Sequence, residues 1–583
     1  MPEFDKEEGS RKEVKSSGVN TSRLKENGQQ RPIHTAGFRT SALEHRTGKG
    51  PGSQTEVAEC DIDVNKDLGD ILLIGLSMER YLCFPLDDWF CQYVHVTSPS
   101  GQIYQFPFYQ WISKLMTVEI PEGKGVITTG NTPSALKRQR QIELEKNREI
   151  YRWKVYAEGV PSCIDVANDE IENLPPNDQL LKEGNFGNKT GSSGFEITLK
   201  GFTSNTEPWH KFEDIRMVSF LRRTHISDIV SEIWKEDSFF GSQYLNGINP
   251  TLIRKCFKIP ENFPVDERMV ASSLGTSTNL NKELQDGNIY LADYEILEKI
   301  PSTNIINGKP QYIAAPLCLL WKNSQDQLVP IAIQLSQTPG DDAPVFLPGD
   351  SENDWLLAKI WVRNAECQLH EFDAHFLRTH LLAEVFSIAT LRQLSMGHPV
   401  YKLIIPHLRH TLGINVFSRK HIVGPKGLFD QKQGVPSRLE SKASLIKYLT
   451  MMIFTCSAQH SAVNNGQLDY FSWMPNCPSS MNSPPPKAKG VTTMETILKA
   501  LPDVSTTAVS IITFLTISKG TLDRRCLGNY PDVRFTENTI QKFIKKFQDR
   551  LAEISTFIQE RNRTMHLPYY YLDPSVIENS VSM

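Results

Sequence analysis

The chain is read as a mainly α-helical protein, a large helical domain preceded by a partial β-sandwich. Three observations predict this. Long segments with helical apolar periodicity begin after residue 127. Short alternating runs separated by turn signals fill the stretch before it. The first 58 residues are polar and carry few large apolar side chains. Such a segment buries too little surface to offset its ordering entropy, so residues 1–58 are expected to be a disordered polar tail.

In residues 59–126 the runs Ile71–Leu76, Trp89–Val96 and Ile103–Phe106 look like strands, with a turn at Ser98-Pro99-Ser100-Gly101. So few strands make a thin sandwich. Residues 127–583 form the helical domain. Ser134–Lys154, Phe212–Lys235, Ser444–Val463 and Thr536–Arg561 are each expected to be a long helix. Trp355–Leu394 is apolar on most sides, the mark of a helix buried in a large core. Its histidines must therefore find partners inside the protein.

Composition narrows the function. The 583 residues suffice for more than one domain, and hydrophobic residues make up 39%. Sixty-three basic and 67 acidic residues leave a net charge of −4, which argues against a nucleic-acid partner. The 10 cysteines show no CxxC pair, so neither a disulfide framework nor a zinc ribbon is indicated. The N-terminus lacks the apolar stretch of a signal peptide, and the strongest apolar run, Val509–Ile517, is too short to span a bilayer. A cytoplasmic protein is expected, with peripheral membrane contact left open.

Four polar residues in these apolar segments carry chemistry. His375 and His380 are five apart, so an α-helix would aim them about 140° from each other. A π-type turn would bring them together, and a π-bulge spanning His375 to His380 is predicted. His460 and Asn464 are four apart and share one face of an ordinary helix. The plainer alternative is a set of core histidines satisfied by hydrogen bonds. His398, His407 and His410 show how readily the residue occurs nearby without being a ligand. No HExxH is present. Three imidazoles, an amide oxygen and the main-chain carboxylate of Met583 would make a mixed N/O shell suited to redox-active iron rather than zinc or calcium.

Several stretches are recognisable together: Trp355–Val362, His375–Glu384, His398–Leu403, Pro406-His407, Ile414-Asn415, Gln459–Gln467, Pro484–Gly490 and the ending Pro568–Met583. They resemble the core of animal lipoxygenases from about residue 60 to the end. The C-terminal half is similar to the epidermal branch, which includes hydroperoxide isomerases. The resemblance implies a non-haem iron dioxygenase. Such an enzyme takes a hydrogen atom from a bis-allylic carbon of a polyunsaturated fatty acid such as arachidonate or linoleate. O2 then adds to the pentadienyl radical to give a hydroperoxide. It further implies iron ligation by His375, His380, His460 and Asn464, with the Met583 carboxylate as fifth ligand. Trp89–Cys91 and Phe106-Pro107 resemble the family's N-terminal PLAT sandwich. A long apolar substrate calls for a deep hydrophobic pocket.

This sequence departs from the family pattern in definite places. After Gly427-Leu428-Phe429-Asp430 a segment several helices long is missing, and Gln431–Pro436 leads almost directly to the second ligand pair. Those helices help to wall the fatty-acid channel, so exposed apolar surface, lower stability and impaired activity are expected. The strands and loops that hold calcium are replaced by the polar tail, so calcium binding is not expected. Phe376 stands where the family usually has Leu, which either narrows the oxygen or substrate path or is a tolerated swap. Ser418 stands where Ala accompanies S and Gly accompanies R stereochemistry, and its size leans towards S. Met583 replaces the usual Ile, which a main-chain ligand tolerates. The alternatives to a dioxygenase are a hydroperoxide isomerase (epoxyalcohol synthase) with the same ligands, or an inactive truncated variant that only binds lipid or partners.

Overall fold

The structure is a computed structural model. It describes residues 36–46, 56–64, 69–77, 89–112, 117–156, 161–179, 197–219, 223–298, 300, 304–421, 442–518 and 524–582. The segment Gly427–Pro436, where the missing helices would begin, and Met583 lie outside the described residues.

The N-terminal sandwich has two sheets. One has strand order β2-β1-β4-β5, from β1 (Ala36–Arg46), β2 (Glu56–Val64), β4 (Trp89–Thr97) and β5 (Ile103–Ile112). The other pairs β3 (Leu73–Ser77) with β6 (Thr117–Pro121). Along β5 the period-2 rule holds: Tyr104, Phe106 and Phe108 are buried on alternate positions. They meet Cys91, Val94 and Val96 of β4 and Val118 and Ile120 of β6 in one core. The turn between β4 and β5 closes with Gly101 N donating to Ser98 O at 2.9 Å, and Gly101 takes a φ of 82° that favours glycine. One expectation is corrected here. β1 lies inside the segment read as a disordered tail and pairs with β4 (Arg39 opposite Thr97). Its pattern, Ala-Gly-Phe-Arg-Thr-Ser-Ala, carries one large apolar residue in seven. Tertiary pairing rather than composition makes it a strand.

The sandwich is fastened to the helical domain. Met396 packs on its core, Val126 N donates to Gly397 O at 2.9 Å, and Lys402 Nζ donates to Gly123 O. The expected first helix forms as α1 (Ser134–Ile150), ending before a short strand at Trp153–Lys154. The segment read as one helix over Phe212–Lys235 is two, α2 (Phe212–Ser219) and α3 (His225–Ile233). Thr224 starts the second, accepting from Ser227 N while Ser227 returns the bond in a capping box.

A five-stranded antiparallel sheet was not anticipated. It runs β11-β10-β9-β8-β7, from β7 (Arg254–Lys255), β8 (Ile289–Asp293), β9 (Leu317–Lys322), β10 (Leu328–Gln334) and β11 (Val345–Phe346). Leu317, Cys318, Leu319 and Leu320 are all buried, because one face meets the main core and the other a second cluster around Phe263 and Val270. Burial on both faces erases the alternation that announces a strand.

The main core surrounds α4 (Glu352–Leu369), which Ser351 caps by accepting from Asp354 N. It continues through a π-helix at His370–Leu381 into α5 (Leu382–Gln393). α6 (Thr411–His421) packs against it. The second passage runs from α7 (Lys442–Phe454) through a π-helix at Thr455–Gln459 into α8 (His460–Asn464). The long α9 (Asn538–Asn562) lies near the C-terminal end.

Candidate metal centre

The π-helix predicted at His375–His380 is present and extends over twelve residues. Widening the helix to i→i+5 bonding sets positions five apart on one face. The rings of His375 and His380 accordingly lie 4.9 Å apart, centroid to centroid. His460, from the second passage, closes the group at 4.8 Å from His380 and 5.4 Å from His375. The Nε2 atom of His380 is 3.2 Å from Nε2 of both His375 and His460. One nitrogen from each ring lies within 4.8 Å of the other two.

All three rings are buried. Burial is the largest cause that lowers each of their pKa values, strongly for His380 and His460, where the neighbouring imidazoles add to it. The rings are therefore neutral near pH 7. Three neutral Nε2 atoms turned on one another cannot all be satisfied by shared protons, since each contact carries at most one N–H. A cation at their common point satisfies all three, and nitrogen donors suit a transition metal.

The surroundings hold the rings in place. Glu371 lies 3.8 Å from His375 Nδ1 and 3.2 Å from His370 Nδ1. Burial alone would raise its carboxyl, but its contacts with the two imidazoles outweigh that and bring it down to about 2. A carboxylate behind Nδ1 favours the tautomer whose Nε2 lone pair faces the centre. His370 Nε2 donates to Val463 O at 2.6 Å, joining the two passages between His460 and Asn464. Asn415 Nδ2 donates to His380 O at 2.7 Å and to Glu384 Oε2 at 2.9 Å, and Arg419 pairs with the same carboxylate at 2.5 Å.

Asn464 is buried four residues after His460 on α8, and its Oδ1 accepts from Gln467 Nε2 at 2.9 Å. Val581 and Ser582, which precede Met583, are buried. Phe376 is buried with its ring 6.4 Å from that of His380. Ser418 is buried on α6 beside Arg419. Sequence reasoning did not single out His370, Glu371, Glu384 or Gln467. Glu371 was recoverable, because a carboxylate four residues before His375 in a buried run needs an imidazole or a cation to stay ionised.

The lipoxygenase family profile matches residues 204–437 and 429–569, and the PLAT/LH2 domain profile matches residues 26–119. The two lipoxygenase matches overlap at residues 429–437. The chain is 38% identical to hydroperoxide isomerase ALOXE3 of Homo sapiens, covering 91% of this chain and 94% of that protein. That alignment spans 669 positions, more than the 583 residues of this chain, so the relative carries residues that this chain lacks. It is 39% identical to polyunsaturated fatty acid lipoxygenase ALOX15B of Homo sapiens, covering 91% and 93%. Among solved structures it is similar to a calcium-dependent 11R-lipoxygenase, with a TM-score of 0.85 at 25% identity over 94% of this chain and all of the other. A lipoxygenase crystallised with arachidonate shows a TM-score of 0.85 at 28% identity with the same coverage. With both profiles and whole-length relatives in agreement, the chain belongs to the lipoxygenase family of oxygen-incorporating oxidoreductases.

Proposed function

We propose that His375, His380 and His460 hold one non-haem iron, completed by Asn464 and the carboxylate of Met583, and that the protein forms hydroperoxides from polyunsaturated fatty acids and O2. The convergence of three buried, neutral Nε2 atoms carries this reading. Iron bound there supplies the one-electron redox chemistry of hydrogen abstraction from a bis-allylic carbon. The chain's own residues do the rest. Glu371 and the His380 carbonyl contact from Asn415 orient two of the rings. Gln467 orients the Asn464 amide so that a second lone pair of Oδ1 stays free to turn inward. Phe376, beside His380, narrows the approach for oxygen or substrate, and Ser418 takes the position that sets product handedness with an S preference. Calcium has no assigned part, and the cytoplasm is the compartment this reading assigns.

A second reading has its own support. The relatives at 38% and 39% identity include hydroperoxide isomerases of Homo sapiens and Rattus norvegicus. With the same residues, such an enzyme would consume a fatty-acid hydroperoxide without net oxygen uptake. Oxygen electrode traces with arachidonate and with its hydroperoxide separate the two. Uptake with arachidonate supports the dioxygenase, and loss of the hydroperoxide without uptake supports the isomerase. Iron-loaded protein that does neither is the inactive form that the missing segment allows.

A further inference from the structure

Helix α9 is 25 residues long, yet only Ile558 and Asn562 in it are buried. One face ties it to the body of the protein. Gln548 Nε2 donates to Gly528 O at 2.8 Å, Ser555 Oγ to Asp573 Oδ1 at 2.5 Å, and Asn562 Nδ2 to Tyr569 O at 3.0 Å. Roughly a third of a turn away, at about 100° per residue, Phe543, Phe547, Ile554 and Phe557 line up as a second stripe. All four are exposed, Phe543 at 64% and Phe557 at 66%. Two apolar pairs on one face of a charged helix, with Arg550 between them, mark an interaction surface.

We propose that a second copy of this chain covers the stripe, the two α9 helices packing antiparallel about a two-fold axis at Arg550. The order of residues supports the pairing. A two-fold crossing at that point sets Phe543 against Phe557 and Phe547 against Ile554, apolar on apolar, at both ends. The charges match as well. Lys542, Lys545 and Lys546, with Asp549, precede the midpoint, while Glu553 and Glu560, with Arg561, follow it, a basic excess of two on one side and an acidic excess of one on the other. Lys546 of one copy then faces Glu553 of the other, and the symmetry makes that contact twice. Within each helix Arg550 already pairs with Glu553 at 2.6 Å and Lys545 with Asp549 at 2.8 Å. Each Arg550 thus arrives at the axis with its own carboxylate. The helix carries five basic and three acidic residues, so an anionic lipid surface is the competing occupant, and the vesicle measurement below separates it from a second copy. Four apolar side chains per copy are few beside the roughly 20–30 residues per partner of a standard interface, so the dimer should be weak, with a Kd on the order of 10 μM.

Sedimentation velocity of the full chain over about 1–100 μM tests this. Concentration-dependent monomer–dimer exchange is expected, and Phe557→Glu should weaken it by about tenfold or more. Lys546→Glu alone should weaken it by about threefold to tenfold, and Lys546→Glu with Glu553→Lys should restore the wild-type constant. The charge variants lie on the surface, so they test the pairing even if Phe557→Glu fails to fold. A wild type that stays monomeric, or a double swap that restores nothing, overturns the proposal. So does a monomer whose binding to phosphatidylcholine–phosphatidylserine vesicles is lost in Phe557→Glu.

Discussion

The two helical passages that bring the histidines together sit in unlike surroundings. From Glu352 to Gln393 the first is buried along nearly its whole length, with Trp361, Val362, Ala365 and Ile388 fully enclosed. The second is half bare. Leu445, Ile446, Met451 and Phe454 of α7 are exposed, Ile446 at 57%, whereas every position from Thr455 to Asn464 is buried or half-buried. The bare half follows the stretch at which one lipoxygenase match ends and the other begins. Cover is thin on α7, whereas the turns that aim His460 at its partners keep theirs. A metal centre can outlast part of its shell when the residues that point its ligands lie in the part that stays packed.

The largest expected effect is on the support of the first passage. Glu384→Ala strands the Arg419 guanidinium in the core and removes a partner of Asn415, so it should cost about 3–5 kcal/mol in a chemical denaturation series. A loss below about 1 kcal/mol would show that the buried pair is not what holds this passage. Next, Ile360→Ala should cost about 2–5 kcal/mol by leaving a cavity in the enclosed helix.

The third effect is one of pH, and it contrasts the cluster with a buried histidine that is already satisfied. His407 Nδ1 donates to Asn579 O at 2.8 Å and its Nε2 lies 3.2 Å from the Tyr530 hydroxyl. Burial lowers its pKa from 6.5 to about 4, the bond to Asn579 opposing the shift only in part. Above pH 6.5 the ring is neutral in both folded and unfolded chains and its stabilising contribution is complete. As pH falls from 6.5 to about 4 the unfolded chain binds the proton first, so roughly 3 kcal/mol is lost across that window. His407→Gln should flatten that part of the stability curve, and an unchanged slope would contradict the assignment. The smallest effect belongs to the bare half of the second passage. Ile446→Ala should stay within about 0.5 kcal/mol, and a large loss there would mean that α7 is covered after all.

Part of this arrangement was legible beforehand. The spacing of five between His375 and His380 is incompatible with one face of an α-helix, and that conflict pointed to the π-turn that the structure shows. The four-residue spacing of His460 and Asn464 was equally readable, although the π-turn at Thr455–Gln459 just before them left no mark in the pattern. β9 and β10 escaped notice because burial on both faces removes alternation, and β1 because it is polar and owes its pairing to β4. Glu371, Glu384 and His370 act from behind the three clustered histidines through contacts made only on folding, and Glu384 meets Arg419 from 35 residues away.

The central claim is that three buried imidazoles share one iron, and metal analysis of the purified full chain with ferrous iron supplied tests it most directly. About one iron per chain, lost in both His380→Ala and His460→Ala while the circular dichroism spectrum is kept, is the predicted result. Iron retained in either variant, or none bound by the wild-type chain, would contradict it.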